Sequence, residues 1–113
     1  MAVFRGLLVF MFVAISAYTT VVMLVHGTDL LPVFFGDVAE MTWRGQFNFD
    51  FMCFLVLSGL WVAWRHRFSA GGIALGILAG FGGALFLTAY LLVMSIKVDG
   101  NINALLLGPD RVS

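Results

Sequence analysis

Five polar side chains stand out because they occur within or beside apolar stretches of the chain. Asp50 is the only acidic residue inside an apolar run, and an ionised carboxylate there costs about 3 kcal/mol on membrane-insertion scales. Gln46 and Asn48 precede it, while Tyr18 and Tyr90 occur in two other apolar runs. We predict that these residues line a small polar pocket for a cation, a proton or a lipid headgroup.

The competing interpretation of Asp50 is structural. Asp50 lies about one turn inside the predicted second helix, where the positive end of the helix dipole favours an anion. Arg44 or water is within reach of the same position. The carboxylate would then be satisfied by the helix terminus and a neighbouring helix, without any ligand.

Other catalytic and metal-binding chemistries are excluded by residue spacing. His26 follows the first predicted helix and His66 follows the second at the opposite membrane face, so one chain does not supply both axial ligands of a haem. The single cysteine, Cys53, has no intrachain partner for a disulfide. His-Glu-x-x-His, Cys-x-x-Cys and phosphate-loop motifs do not occur. We therefore predict no enzyme activity, no catalytic residue, no metal site and no cofactor.

Composition identifies the elements that position these residues. The chain is 62% hydrophobic and 11% charged, with a mean hydropathy of +1.06, which is too apolar for a soluble domain of 113 residues. The apolar runs predict three transmembrane helices over about residues 6–26, 47–64 and 72–96. A cleaved signal peptide is the alternative for the first run. Net charge is zero and no basic face exists, so nucleic-acid binding is not expected.

Two helix faces carry distinct signals. Gln46, Asp50 and Cys53 share one face of the second helix, which we expect to turn toward protein rather than lipid. Small residues repeat along the second and third helices, where they would let two backbones approach closely within the chain or between two copies. The predicted helix-packing residues are Gly72, Gly76, Gly80, Ala84, Gly59 and Ala63.

The remaining segments are short. Residues 29–41 are apolar first and acidic afterwards, which favours an interfacial helix or turn. Residues 97–113 form a predicted tail with a short leucine anchor and a frayed end. Basic residues divide evenly between the two faces of a three-span chain, with the Arg65–Arg67 loop the densest cluster. This favours a cytoplasmic N-terminus, with insertion in both orientations as the alternative.

The pattern resembles a known group. His26-Gly27 closes the first helix, the second carries Asp50 and ends in Trp64-Arg65-His66-Arg67, and the third is rich in glycine. In these features the chain is similar to the DUF2834 family of small uncharacterised bacterial membrane proteins. The resemblance implies a multi-pass protein of the bacterial inner membrane and implies no catalytic activity.

The predicted fold is therefore all-α: a single domain over residues 1–113, a bundle of three transmembrane helices with short interfacial segments in the lipid bilayer. The predicted function is that of a non-enzymatic accessory or structural subunit, with a membrane-protein partner. The alternative is a small homo-oligomeric transporter or ligand-binding protein that uses Asp50.

Overall fold

The computed structural model describes residues 1–111, which are helical and contain no strand. The prediction of an all-α chain is thereby confirmed. The helices are α1 (Ala2–His26), α2 (Leu30–Ala39), α3 (Trp43–Arg65), α4 (Ala70–Lys97) and α5 (Ile102–Leu107), followed by a 3-10 turn (Pro109–Arg111). By length and composition, α1, α3 and α4 are each long and apolar enough to cross a membrane.

Local sequence signals set several helix ends. Gly27 ends α1 with a φ of 79°, a backbone conformation that favours glycine, and its N–H donates to the Met23 carbonyl. α4 begins after Ser69, whose hydroxyl accepts a hydrogen bond from the Gly72 N–H at 3.1 Å. α5 begins after Asn101, whose side-chain oxygen accepts a hydrogen bond from the Ala104 N–H. These caps satisfy backbone groups that have no partner inside the helix.

The first part of α4 packs against α3 through small residues. A methyl group added to Gly76 would meet the Gly59 carbonyl oxygen at 2.7 Å and the Ala63 Cβ at 3.1 Å. Farther along the pair, Gly83 lies against the Phe51 ring. The two helices therefore run antiparallel, with their backbones in near contact at Gly59 and Gly76.

The helix α4 breaks at Gly83 and folds back on itself. Gly83 has φ 57° and ψ −144°, outside the helical region. Gly72 and Tyr90 both contact His66, the latter through a hydrogen bond of 2.7 Å. A straight helix would separate these two residues by about 27 Å, beyond the reach of a tyrosine side chain. The segment therefore forms a helical hairpin, whose arms we call α4a (residues 70–82) and α4b (residues 84–97).

The hairpin differs from the continuous third helix that the sequence predicted. Thirteen or fourteen residues of helix rise only about 20 Å, whereas the hydrocarbon core of a bilayer is about 30 Å thick. Neither arm alone spans that distance. The core between the arms and α3 is formed by Val62, Ala79 and Tyr90, against which Leu75 of α4a and Met94 of α4b both pack.

The helices α1 and α2 pack on different partners. α1 contacts α4, and Arg5 near its start donates to the Ser95 hydroxyl and carbonyl at 3.1 and 2.9 Å. Leu8 is the one α1 residue that is fully buried. α2, predicted as an interfacial segment, packs beside the first turns of α3, with Gly45 against the backbone of Asp37 and Val38.

The C-terminal segment packs against the rest of the molecule as far as Arg111, whereas the sequence predicts a tail with a frayed end. Ala104 and Leu105 of α5 are buried, and the Trp61 ring N–H donates to the Leu106 carbonyl at 3.0 Å. Arg111 lies 4.0 Å over the Trp64 ring. This segment differs from the predicted tail because α3 supplies donors to carbonyls at the end of α5, which lack helical partners of their own.

Candidate functional site

Asp50 borders an open groove beside the packed pair α2 and α3. The groove has a volume of about 570 Å³ and is lined by Val38, Met41, Thr42, Gly45, Gln46, Phe49, Asp50 and Cys53. Asp50 and Gln46 are exposed in the folded chain. Within residues 1–111, neither side chain has a hydrogen-bond or ion-pair partner, so both remain available to a group from outside the chain.

The polar face of α3 points away from α4 and is exposed. Gln46, Asp50 and Cys53 lie on one face, roughly opposite the face that Leu55 directs at α4, since successive helical residues turn about 100°. The sequence predicts that this face turns toward protein, whereas within the described chain it is exposed. The reason is that the α3 residues in contact with α2 (Gly45 and Asn48) and with α4 (Leu55 and Gly59) lie on the other side of the helix.

Asn48 belongs to a different contact. Its amide donates to the Phe34 carbonyl at 3.2 Å and lies 3.5 Å from the Asp37 carboxylate, which joins α3 to α2. Arg44 pairs with Glu40 at 3.0 Å and lies 4.0 Å from Asp37. Thus the structure places Asn48 with the acidic residues of α2, and leaves Asp50 without any of these partners.

The two tyrosines of the predicted pocket lie elsewhere. Tyr18 is 72% exposed on α1. Tyr90 is buried against Arg65 and His66, and Arg65 is fifteen residues, or about 22 Å of helix, from Asp50. The structure therefore brings Gln46 and Asp50 together at one groove and separates Tyr90 from them.

A second polar cluster surrounds Arg65, which is only 4% exposed. Its guanidinium donates to the Leu105 carbonyl at 2.6 Å, the Ala104 carbonyl at 3.2 Å and the Tyr90 hydroxyl at 3.1 Å. No carboxylate within residues 1–111 pairs with it. The positive charge is instead placed at the negative end of α5, where the Ala104 carbonyl accepts from the Gly108 N–H but no backbone N–H of the described residues reaches the Leu105 carbonyl.

His66 belongs to the same polar cluster. Nε2 of His66 lies 2.7 Å from the Tyr90 hydroxyl and 3.4 Å from a guanidinium nitrogen of Arg65. A guanidinium has only donors, so the arginine beside Nε2 favours a neutral His66 ring whose Nε2 accepts. Burial lowers the pKa of His66 below its usual 6.5, and the positive charges of Arg65 and Lys97 lower it further.

This arrangement predicts a loss of stability in acid. Because the pKa is lower in the folded state, the unfolded chain takes up a proton first as the pH falls below 6.5. The free energy of unfolding should therefore decrease with falling pH between 6.5 and the pKa of the folded protein. Denaturant titration in detergent at a series of pH values measures this slope.

The non-titrating variant His66→Asn should lose the part of the slope that His66 contributes. The matched variant His26→Asn, which changes an exposed histidine at the end of α1, shows whether the replacement of any histidine has the same effect. Equal slopes in the wild type and His66→Asn would contradict the assignment.

No protein-family model, curated protein or solved structure matches the chain. The resemblance to the DUF2834 family therefore stays a prediction.

Sequence reasoning missed the cluster at Arg65. An arginine after a tryptophan at a helix end is typical of a side chain that extends to lipid headgroups, so the local sequence does not indicate a buried arginine. Its true partners, Ala104 and Leu105, are about forty residues away in the sequence. No local pattern indicates that α5 returns to this position.

Proposed function

We propose that the chain is a non-enzymatic integral membrane protein of the bacterial inner membrane, and that it serves as a subunit of a larger membrane assembly. The partner is a membrane protein that covers the outward face of α3. The long apolar helices α1 and α3 and the apolar hairpin of α4 support the membrane setting. The exposed, unpaired carboxylate of Asp50 is the observation that supports a partner.

Leaving the Asp50 carboxylate without a partner inside a membrane costs free energy. The residue lies about 10 Å along α3 from Trp43, and it is exposed on the side of α3 that is turned away from α4. A carboxylate in hydrocarbon is destabilising, and such residues pair with another group or face a water-filled cavity. A transmembrane helix that offers a lysine, an arginine or a hydrogen-bond donor would satisfy Asp50.

The chain itself does not provide that cation. Arg44 is engaged with Glu40 and Asp37. The other five basic residues lie at the end of the molecule where α3 finishes, or contact residues of α4 and the C-terminal segment at that end. In a symmetric dimer through this face, two Asp50 carboxylates would approach each other, which is unfavourable unless they share a proton. Charge complementarity therefore favours a different protein as the partner.

The second candidate is a small homo-oligomeric transporter or ligand-binding protein. The groove beside Asp50 supports it, because Gln46 and Asp50 offer an amide and a carboxylate to one open volume of about 570 Å³. An organic or inorganic cation would be the ligand. In this case copies of the chain would surround the ligand, and the unpaired carboxylate would be its counter-charge.

Native mass spectrometry of the tagged protein, extracted gently from its own membrane, distinguishes the two candidates. We expect a heteromeric complex in the wild type. The variant Asp50→Asn should weaken it by about 2–5 kcal/mol, the usual cost of truncating one member of a desolvated interfacial charge pair. The variant should still insert, because the change removes a charge from an apolar run.

The matched control is Asp110→Asn, which removes a carboxylate whose side chain is 81% exposed. It should leave the complex unchanged. A homo-oligomer with a retained small molecule that Asp50→Asn releases would overturn the subunit proposal and establish the second candidate. A heteromer that is indifferent to Asp50→Asn would overturn the role given to Asp50.

A further inference from the structure

The hairpin in α4 returns the chain to the end of the molecule where α1 begins. Ser95 of α4b bonds to Arg5, and Gly100 lies against the side chain of Met1. At the other arm, Gly72 lies against His66. The start of α1, the α3–α4 turn and the segment after Lys97 therefore meet at one end.

This end collects most of the positive charge. Arg5 donates a hydrogen bond to Ser95, which is two residues before Lys97. The positive charge of Lys97 lowers the pKa of His66. Arg111 donates to the Trp64 and Arg65 carbonyls at 2.6 and 3.4 Å. Arg67 donates to the Asp110 carbonyl at 3.0 Å. We call this the basic end, and its cations are Arg5, Arg65, Arg67, Lys97 and Arg111.

The basic end holds five of the six basic residues and two carboxylates, Asp99 and Asp110, so its side-chain charge is +3. The rest of the molecule holds Arg44 against four carboxylates and has a charge of −3. A straight α4 would instead carry Lys97 and Arg111 to the opposite face and leave the basic residues evenly divided between the two membrane faces. In the observed fold, most of them lie at one end of the molecule.

The surroundings of the basic end fit a membrane interface. Trp61 and Trp64 lie there, and tryptophan is enriched at the boundary between hydrocarbon and headgroups. α5 buries Ala104 and Leu105 and exposes Ile102 and Leu106. Lys97 is exposed, and the Arg67 side chain is 57% exposed. Exposed cations beside exposed apolar side chains are typical of contact with anionic lipid.

We infer that the basic end lies at the cytoplasmic face of the membrane and binds the headgroups of anionic phospholipids there. The start of α1 and the segment around Gly100 then lie on the same side, with α4 entering and leaving the membrane at one face. This orientation is single, since the cytoplasmic leaflet carries the anionic lipid and retains positive segments.

Cysteine labelling in sealed vesicles tests the placement. In a Cys53→Ala background, single cysteines are introduced as Ser69→Cys, Asn101→Cys and Glu40→Cys, and a membrane-impermeant maleimide is applied from each side. Positions 69 and 101 should react from the cytoplasmic side and position 40 from the other. Reaction of 101 on the same side as 40 would overturn the inference, as would labelling of every position from both sides.

Lipid contact is tested by native mass spectrometry from nanodiscs that mix phosphatidylglycerol with phosphatidylcholine. The wild type should retain phosphatidylglycerol preferentially. Arg67→Gln and Lys97→Gln should each lower that preference about fivefold, which corresponds to about 1 kcal/mol per basic residue near an anionic surface. The control Arg44→Gln removes a cation from the other end and should not change it. An unchanged preference in the double variant Arg67→Gln/Lys97→Gln would overturn the lipid contact.

Discussion

Replacing Arg65 with methionine should lower the free energy of unfolding by about 3 kcal/mol. The guanidinium donates to the Leu105 and Ala104 carbonyls and to the Tyr90 hydroxyl in a buried setting. Each hydrogen bond from a charged group contributes about 1.5–3 kcal/mol, and the removal of a charge from the interior offsets part of the sum. Denaturant titration in detergent, followed by tryptophan fluorescence, measures the change.

The variant Arg67→Met is the matched control, because that arginine lies two residues away with its side chain more than half exposed. It should change stability by less than about 1 kcal/mol. Limited proteolysis adds a local test: α5 should become cleavable in Arg65→Met and stay protected in Arg67→Met. Similar effects of the two substitutions would contradict the assignment of Arg65 as the residue that holds α5.

Replacing Gly76 with leucine should destabilise the protein by about 3 kcal/mol, the upper part of the usual range for overpacking. The added Cβ would meet the Gly59 carbonyl oxygen and the Ala63 Cβ. Because the nearest obstacle is backbone, no rotamer change relieves the clash and α3 must move away from α4a. The free energy of unfolding in detergent is again the measurement.

Gly71→Leu provides the comparison for Gly76→Leu. A Cβ at Gly71 meets nothing within 4 Å, and both positions lie in α4a, so the helix propensities of the two substitutions are similar. We expect stability to change by about 0.5 kcal/mol or less at Gly71. A tolerated leucine at Gly76 would show that the close approach of Gly59 and Gly76 is not required for folding.

The long helices were predictable because their signal is local. Twenty consecutive apolar residues favour a helix wherever they occur in a membrane protein, and the ends of α1 and α3 carry glycine, histidine or arginine at the expected places. The break in α4 was not predictable in this way. Repeated glycines are equally typical of close helix packing, and the chain uses Gly76 for packing and Gly83 for the turn.

In the candidate site, too, the features that depend on neighbouring residues were predictable, and the features that depend on contacts between distant segments were not. Helical spacing predicts that Gln46, Asp50 and Cys53 share a face, since residues three and four apart are neighbours on a helix. Which way that face points depends on where α2 and α4 pack, and the spacing within α3 carries no such information. The placement of Tyr90 beside His66 follows from the turn at Gly83.

The charge asymmetry between the two ends makes the molecule an electric dipole along its long axis, which measures 49 Å. Moving one elementary charge across a membrane potential of 100 mV changes the free energy by about 2.3 kcal/mol. With +3 at one end and −3 at the other, an inside-negative potential of that size would favour the basic end inside by on the order of 10 kcal/mol. An energised membrane would thus hold the orientation of the folded protein, and dissipating the potential would remove that contribution without altering any contact within the chain.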